Sequence, residues 1–203
     1  MTLGRRCFAV LAFCGMLSPA PWASESWETR VDADGIKVQI RDVPGSDFKA
    51  FRGEMLLAVS PEAVFARLSD TAAYPDWFPD TVEARPLVLD GGVPANYVRT
   101  DVPWPLKDRD AIYTQNTTRQ AGSIRIDIGV APDALPPVDG VVRVQAAAGS
   151  WDLAARADGG THVVWEFHLE PGGAVPSSLA NKRVVETPKR ALLGLRAFFL
   201  RSN

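Results

Sequence analysis

The sequence predicts an α+β fold in which a curved antiparallel β-sheet wraps around one long C-terminal α-helix. Three observations predict it. Between Val82 and Leu169, short apolar runs follow one another, separated by glycine turns such as "DGG" (90–92) and "QAG" (120–122). Within these runs apolar residues recur at every second position, as in Ile124, Ile126, Ile128 and Val130. One face of the sheet is therefore apolar and needs a cover. Residues 178–200 then set Val184, Val185, Pro188, Ala191, Leu192, Leu195, Phe198 and Phe199 apart from Lys182, Arg183, Glu186, Lys189, Arg190 and Arg196 on a helical wheel. That amphipathic helix is the expected cover.

The 203 residues, 46% of them hydrophobic, suffice for one sizeable core but not for two full domains. Residues 1–26 stand apart from it. Arg5 and Arg6 precede the apolar run "CFAVLAFCGML" and the small-residue segment "SPAPWASES", the layout of a secretory signal peptide. The run is too short to remain as a membrane anchor. "RRCF" resembles the core of a twin-arginine signal, but adjacent arginines are common in ordinary leaders. The run Leu11 to Cys14 only faintly resembles a lipobox, because bulky Phe13 precedes the cysteine. Cleavage is expected between Ala20 and Ser26, giving a domain at 27–203 exported by a bacterium to the periplasm or beyond. Cys7 and Cys14 are the only cysteines, so the mature domain carries no disulfide. Without Arg5, Arg6 and Glu25 the net charge is about −3, which offers nucleic acid no electrostatic footprint.

In chain order, "GIKVQIRDV" (35–43) and "FKAFRGEMLLAV" (48–59) read as a hairpin about Pro44 and Gly45. Ser60 can cap a helix, Pro61 suits its first position and Glu62 its positive end, while Val64, Phe65 and Leu68 form its apolar stripe to about Asp70. "AYPDWFPD" (73–80) holds two prolines and cannot continue that helix, so a compact aromatic turn is expected. Strands are expected at 82–89, 96–103, 109–119, 123–131, 141–148, 150–156 and 161–169, with "PDALPPVDG" as the longest connection. Pro188 should kink the final helix. A sheet curved around such a helix is a helix grip, and a grip encloses space.

The order of strands, the short helices around "SPEAVFARLSDTAAYPDWFP", the segment "VPWPLKDRD" and the final helix together resemble a bacterial START domain, the lipid-transfer domain related to the steroidogenic acute regulatory protein. The resemblance spans residues 27–200, and its most specific piece is "PWPLKDRD", a proline-containing omega loop whose Arg-Asp opens a strand. It implies a helix-grip fold holding one lipid or sterol in an internal tunnel, with loops and the last helix as a lid.

The candidate ligand-binding residues follow from these placements. Pro103 and Pro105 stiffen the loop, so Trp104 and Leu106 can cover the mouth of an apolar cavity; the competing reading makes Trp104 a packed plug. Arg109 and Asp110 are adjacent, should point to opposite faces of a strand, and read as a structural ion pair. Arg99 and Asp101 share a face and are candidates for the polar end of the tunnel, or for a solvated surface. Tyr113, Trp151, Trp165 and Phe167 either fill the core or line the cavity, and Val185 and Leu192 face them from the helix.

Catalytic and metal-dependent readings find less support. His162 and His168 do not have zinc-ligand spacing, and no metal site or cofactor is expected. Nucleophile-elbow, Walker A and dinucleotide fingerprints are absent, and the Asn116 sequon falls in an expected strand. Two classes of function remain. The first is a noncatalytic, monomeric binder or carrier of a lipid, sterol or other hydrophobic small molecule, with transient membrane contact and no nucleic-acid partner. The alternative is a cyclase- or hydrolase-type enzyme using the same cavity, with Glu166 or Tyr113 as acid or base.

Overall fold

Branched and aromatic side chains at alternate positions drive the sheet to bury one face, and the chain's order of elements shows how it does so. The computed structural model describes residues 26–201, so the expected leader lies outside the described residues except for Ser26. The strands are β1 (Glu28–Ala33), β2 (Ile36–Arg41), β3 (Ala50–Leu57), β4 (Thr81–Leu89), β5 (Val93–Thr100), β6 (Arg109–Gln120), β7 (Ser123–Val130), β8 (Val142–Arg143), β9 (Ala146–Ala155) and β10 (Thr161–Glu170). Helix α1 (Pro61–Ser69) follows β3, and α2 (Ser177–Arg201) ends the chain.

The strands form one sheet in the order β1-β2-β3-β10-β9-β7-β6-β5-β4, antiparallel throughout, with short β8 running parallel beside β6. The early hairpin thus meets the last strand, and β1 and β4 are left as edges. Helix α2 packs on β2 and β3, while α1 rests against β7 and β9, which is the helix-grip arrangement. Ile36, Val38 and Ile40 share the core with Ile124, Ile126 and Val163, so the alternation read from the sequence is the alternation of burial. No helix among the described residues is long and apolar enough to cross a membrane.

Two glycines let α2 lie close to its neighbours. A Cβ on Gly53 of β3 would sit 3.0 Å from Leu192 Cδ1 and 3.3 Å from Pro188 Cβ, and one on Gly194 of α2 would sit 2.7 Å from the Trp77 carbonyl oxygen. Helix α2 continues through Pro188, whose ring is buried. At α1, the Ala63 amide donates to Ser60 Oγ at 3.4 Å, with Pro61 in the first turn, as the sequence predicts. The aromatic turn is a 3₁₀ segment over Thr71–Asp76. Tyr74 donates its hydroxyl to the Leu68 carbonyl at 2.6 Å, and its ring packs with Trp77 and Phe78.

The elements differ from expectation in three places. β1 was not expected, because an edge strand exposed on both faces has no apolar alternation to betray it. The expected strand 96–103 stops at Thr100, where the proline-rich loop begins. The two expected strands at 141–148 and 150–156 are instead the two-residue β8 and one long β9. Gly149 looks like a break, yet it lies inside β9, where a Cβ would come within 2.5 Å of Phe167 Cδ2. The glycine makes room for the neighbouring strand's backbone at Glu166 as well as for the Phe167 ring.

Candidate functional site

The curvature of the sheet leaves a cavity of about 260 Å³ between its concave face and the N-terminal half of α2. That is close to the lower end of the roughly 300–1,000 Å³ typical of small-ligand pockets. Its floor is aromatic. Trp151 and Trp165 are register partners across β9 and β10, and their rings stack with centroids 4.5 Å apart and planes 9° apart. Phe51 and Phe78 meet Trp165 edge-on at 4.6 and 5.5 Å, and Phe167 bridges toward Tyr113 at 5.9 Å. Leu179, Ala180, Val184 and Thr187 of α2 form the roof, and Val102 and Leu106 of the 101–108 loop close one side. Such a wall favours an alkyl chain by about 0.8 kcal/mol per buried methylene.

Polar groups interrupt this wall at a few fixed places. Burial pushes the Tyr113 hydroxyl up to about 12, so it stays protonated at neutral pH. Asn96 is engaged by Thr71, whose Oγ1 donates to its Oδ1 at 2.7 Å. Asp80 holds a left-handed backbone conformation (φ 56°), which an aspartate tolerates, and accepts from Arg183 at 2.8 Å and from Arg190 at 3.0 Å. Its backbone carbonyl also accepts from the Asp101 amide at 2.8 Å. The turn after the aromatic segment is therefore fastened both to the middle of α2 and to the loop entering the mouth. Nearer the start of α2, the Lys49 amide donates to Asn181 Oδ1 at 2.9 Å, and Asn181 Nδ2 donates to the Asp47 carbonyl at 3.1 Å.

Arg109, Ala111, Tyr113 and Gln115 face the cavity from alternate positions of β6, and Asp110 contributes to the wall beside them. Asp110 is 1% exposed and is held by Arg143, which donates twice to its carboxylate at 2.8 Å. Arg143 also donates to the carbonyls of Pro132, Leu135 and Pro136, pinning the long connection over a small second core around Ala95, Tyr97 and Ile112. Arg109 is 8% exposed. Its Nη1 donates to the Lys107 carbonyl at 2.5 Å and its Nε has no partner. Burial pulls its guanidinium below the usual arginine value, against the raising effect of the Asp108 charge.

Six of the residues expected from the sequence meet at this cavity: Leu106, Arg109, Tyr113, Trp151, Trp165 and Phe167. Four others do not. Arg99 points to the other face of β5, where its guanidinium donates to Asp108 at 2.6 and 2.9 Å, while Asn96, Val98 and Thr100 supply the cavity face. Asp101, its expected companion, is exposed. Trp104 is 91% exposed, neither lining the cavity nor plugging it, because its loop turns the ring outward while Leu106 turns in. Val185 is half-buried against the main core and Leu192 is fully buried beneath it, since the roof is formed one position earlier, by Val184, and a full helical half away from Leu192. The structural ion pair expected at this dipeptide is Asp110–Arg143, with a partner 33 residues along the chain, and Arg109 is buried beside it without facing water.

The proposed acid or base Glu166 lies outside the cavity, facing Arg52 at 3.6 Å, on the opposite side of β10 from Trp165 and Phe167. His162 and His168 face Glu54 and Glu170 at 3.3 and 3.1 Å. Among the described residues no group of three histidine, cysteine or acidic side chains is arranged to hold a metal. Of the polar lining that sequence reasoning missed, Asp80, Arg183 and Thr187 among it, Asn96, Thr100 and Gln115 were recoverable from strand parity. Gln115 shares the parity of Tyr113, and Asn96 and Thr100 that of Val98.

Residues 49–197 match the family described as polyketide cyclase / dehydrase and lipid transport. The chain is 33% identical over 175 residues to an uncharacterized protein of Pseudomonas aeruginosa, across 86% of this chain and 87% of that one. It is 27% identical over 178 residues to the phosphatidylcholine transfer protein of Mus musculus, across 83% and 81% of the two chains. The crystal structure of the STAR-related lipid transfer protein of Xanthomonas axonopodis matches with a TM-score of 0.78 at 37% identity, covering 85% of this chain and 97% of that one.

Proposed function

The chain belongs to the polyketide cyclase/dehydrase and lipid transport family and has the START helix-grip fold, and from that premise we propose that it binds a lipid, sterol or similar hydrophobic molecule in its cavity and carries it without covalent chemistry. The observation that carries this reading is the largely apolar wall itself, with the stacked Trp151 and Trp165 as floor and the least buried part of α2 as roof. The names of the Xanthomonas and mouse relatives, both lipid transfer proteins, support it.

Catalysis would need a nucleophile or a free acid and base converging on the ligand. In the wall, Asp80 and Asp110 are each held by arginines, and Tyr113 keeps its proton at neutral pH. These features favour carriage over the cyclase or dehydrase chemistry that the family description also covers. Mass spectrometry of an organic extract of the purified protein tests the choice. A stoichiometric lipid that leaves unchanged on extraction is the expected result. An empty cavity together with turnover of a polyketide-like substrate would overturn it.

A carrier must meet a membrane and let go. Trp104, exposed beside the Leu106 edge of the cavity, is suited to the interfacial zone of a bilayer, where amphipathic rings are favoured. The basic, apolar and small-residue order of residues 1–26 supports export, with a mature N-terminus between Pro21 and Trp27. Intact mass of the exported protein checks this, and retention of Met1 would contradict it.

A further inference from the structure

The charged groups of the cavity wall do not balance, and the imbalance identifies one end of the ligand. Each carboxylate in the wall is already neutralised, Asp80 by Arg183 and Arg190 and Asp110 by Arg143. Lys49, the other cation near the roof, pairs with Asp42. Arg109 is the exception. Of the two acids adjacent to it in sequence, Asp110 is taken by Arg143 and Asp108 is committed to Arg99 and to the Val102 amide. No carboxylate among the described residues forms an ion pair with Arg109, whose one hydrogen bond goes to the Lys107 carbonyl.

A guanidinium carries five donors in a rigid fork that matches a carboxylate or phosphate. Here the fork is nine-tenths buried, its Nε has no acceptor, and it borders an otherwise apolar cavity. A buried charge in this state is costly unless something anionic completes it. The backbone also closes over this corner. Gly172 and Gly173 both adopt left-handed conformations (φ 66° and 62°), and a Cβ on Gly173 would come within 4.0 Å of Arg109 Nη2. Helix α2 begins four residues later, at Ser177.

We propose that the cavity takes an anionic amphiphile, a single hydrocarbon chain ending in a carboxylate or phosphate group, with the headgroup received by Arg109 and the chain laid along Trp151 and Trp165. The inference rests on the carrier reading above and specifies the chemical class of its ligand. A cavity of about 260 Å³, at the small end of ligand pockets, has room for one chain.

The test uses probes that differ only at the headgroup. Dodecanoate and dodecanol, each brominated at the far end of the chain, would be titrated into the purified protein and followed by quenching of tryptophan fluorescence, with dodecyl phosphate and inorganic phosphate as competitors. The expected result is binding of the carboxylate about tenfold tighter than the alcohol, as for one charge-assisted hydrogen-bonding pair. Dodecyl phosphate should compete and inorganic phosphate should not. Arg109→Gln should bring the two brominated probes to equal affinity, and Arg109→Lys should retain part of the preference. Equal binding of both probes to the wild type, or a preference that survives Arg109→Gln, would overturn the headgroup assignment while leaving the apolar carrier intact. Inorganic phosphate displacing the carboxylate as well as dodecyl phosphate does would make the site one for a free anion and overturn the amphiphile. Failure of every chain to bind would remove the carrier reading and this inference together. Should Arg109→Gln not fold, Arg109→Lys still decides, because unchanged selectivity between carboxylate and phosphate heads would count against a fork-shaped contact.

Discussion

The two halves of α2 share one amphipathic pattern but not one environment. From Pro188 onward, Pro188, Ala191, Leu192 and Leu195 are fully buried, in a groove opened by Gly53 and against the Trp77 backbone that Gly194 admits. From Ser177 to Thr187 no residue is fully buried, and Leu179 is 44% exposed although it lines the cavity. The first half is held mainly by Asn181 on the 47–49 segment and Arg183 on Asp80. One helix therefore has an anchored half and a roof half. Stability is concentrated in the anchored C-terminal half and freedom to move in the N-terminal roof half, as expected where a ligand must enter and leave.

The strongest way to break this comparison is Leu192→Ala. Leu192 is wholly buried and touches the Gly53 backbone groove, so truncation leaves a cavity that the close-packed helix and sheet cannot fill. A loss of about 3 to 5 kcal/mol in chemical denaturation is expected. A loss below about 1 kcal/mol would mean that the anchored half is no better packed than the roof.

How far the sequence reveals this division depends on what each residue's neighbours can signal. Periodicity is local, so β2, β7, β10, α1 and the buried face of α2 are all legible from apolar spacing, whereas the same spacing leaves open whether Trp151, Trp165 and Phe167 fill the core or line a cavity. Pairings across the sheet are not local. Nothing near Asp110 names Arg143 as its partner. The parity of β5 decides whether Arg99 or Asn96 faces the cavity, and a proline-rich loop at its end gives no register from which to count. Trp104 was misread because size and apolarity favour burial on average, while a loop on one edge of a cavity is free to turn the ring to solvent. The helix wheel likewise could not divide α2 into anchor and roof, since both halves keep an apolar stripe and differ only in whether the sheet opposite is near or far.

Asp80 sits where the two halves join, and Asp80→Asn sharpens the comparison. Asparagine tolerates the same left-handed backbone, so the turn is kept while the charge shared by Arg183 and Arg190 is lost. Because the pairs are partly exposed, a stability loss of about 1 kcal/mol is expected. Ligand exchange should quicken more than that loss alone implies, because the roof half loses one of its ties. Stopped-flow release of a fluorescent fatty-acid analogue would measure it, and an unchanged release rate would remove Asp80 from control of the roof.

Val184→Ala should lower stability still less, by under about 1 kcal/mol, since Val184 already borders empty space and its removal creates no new sealed void. It should nevertheless weaken binding of an alkyl chain severalfold through lost contact. A variant as destabilised as Leu192→Ala would place Val184 in the packed core instead.

The smallest effect on stability is expected at Trp104, and for that reason Trp104→Ala separates cavity from membrane contact most cleanly. At 91% exposure the ring has almost no packing to lose, so the melting transition should stay within about 0.5 kcal/mol of wild type. The ring does not line the cavity, so affinity for a chain in solution should also be unchanged. Delivery to a bilayer is different, because a tryptophan that enters the interfacial zone helps hold the mouth, at Leu106, against the lipid surface. Transfer of a fluorescent lipid analogue from protein to vesicles should therefore slow severalfold, and Trp104→Phe, which keeps an apolar ring, should slow it less. Unchanged transfer with Trp104→Ala would show that this loop does not dock the carrier. A loss of several kcal/mol would instead mean that the ring is packed, and would return the loop to the part of the molecule to which Leu192 belongs.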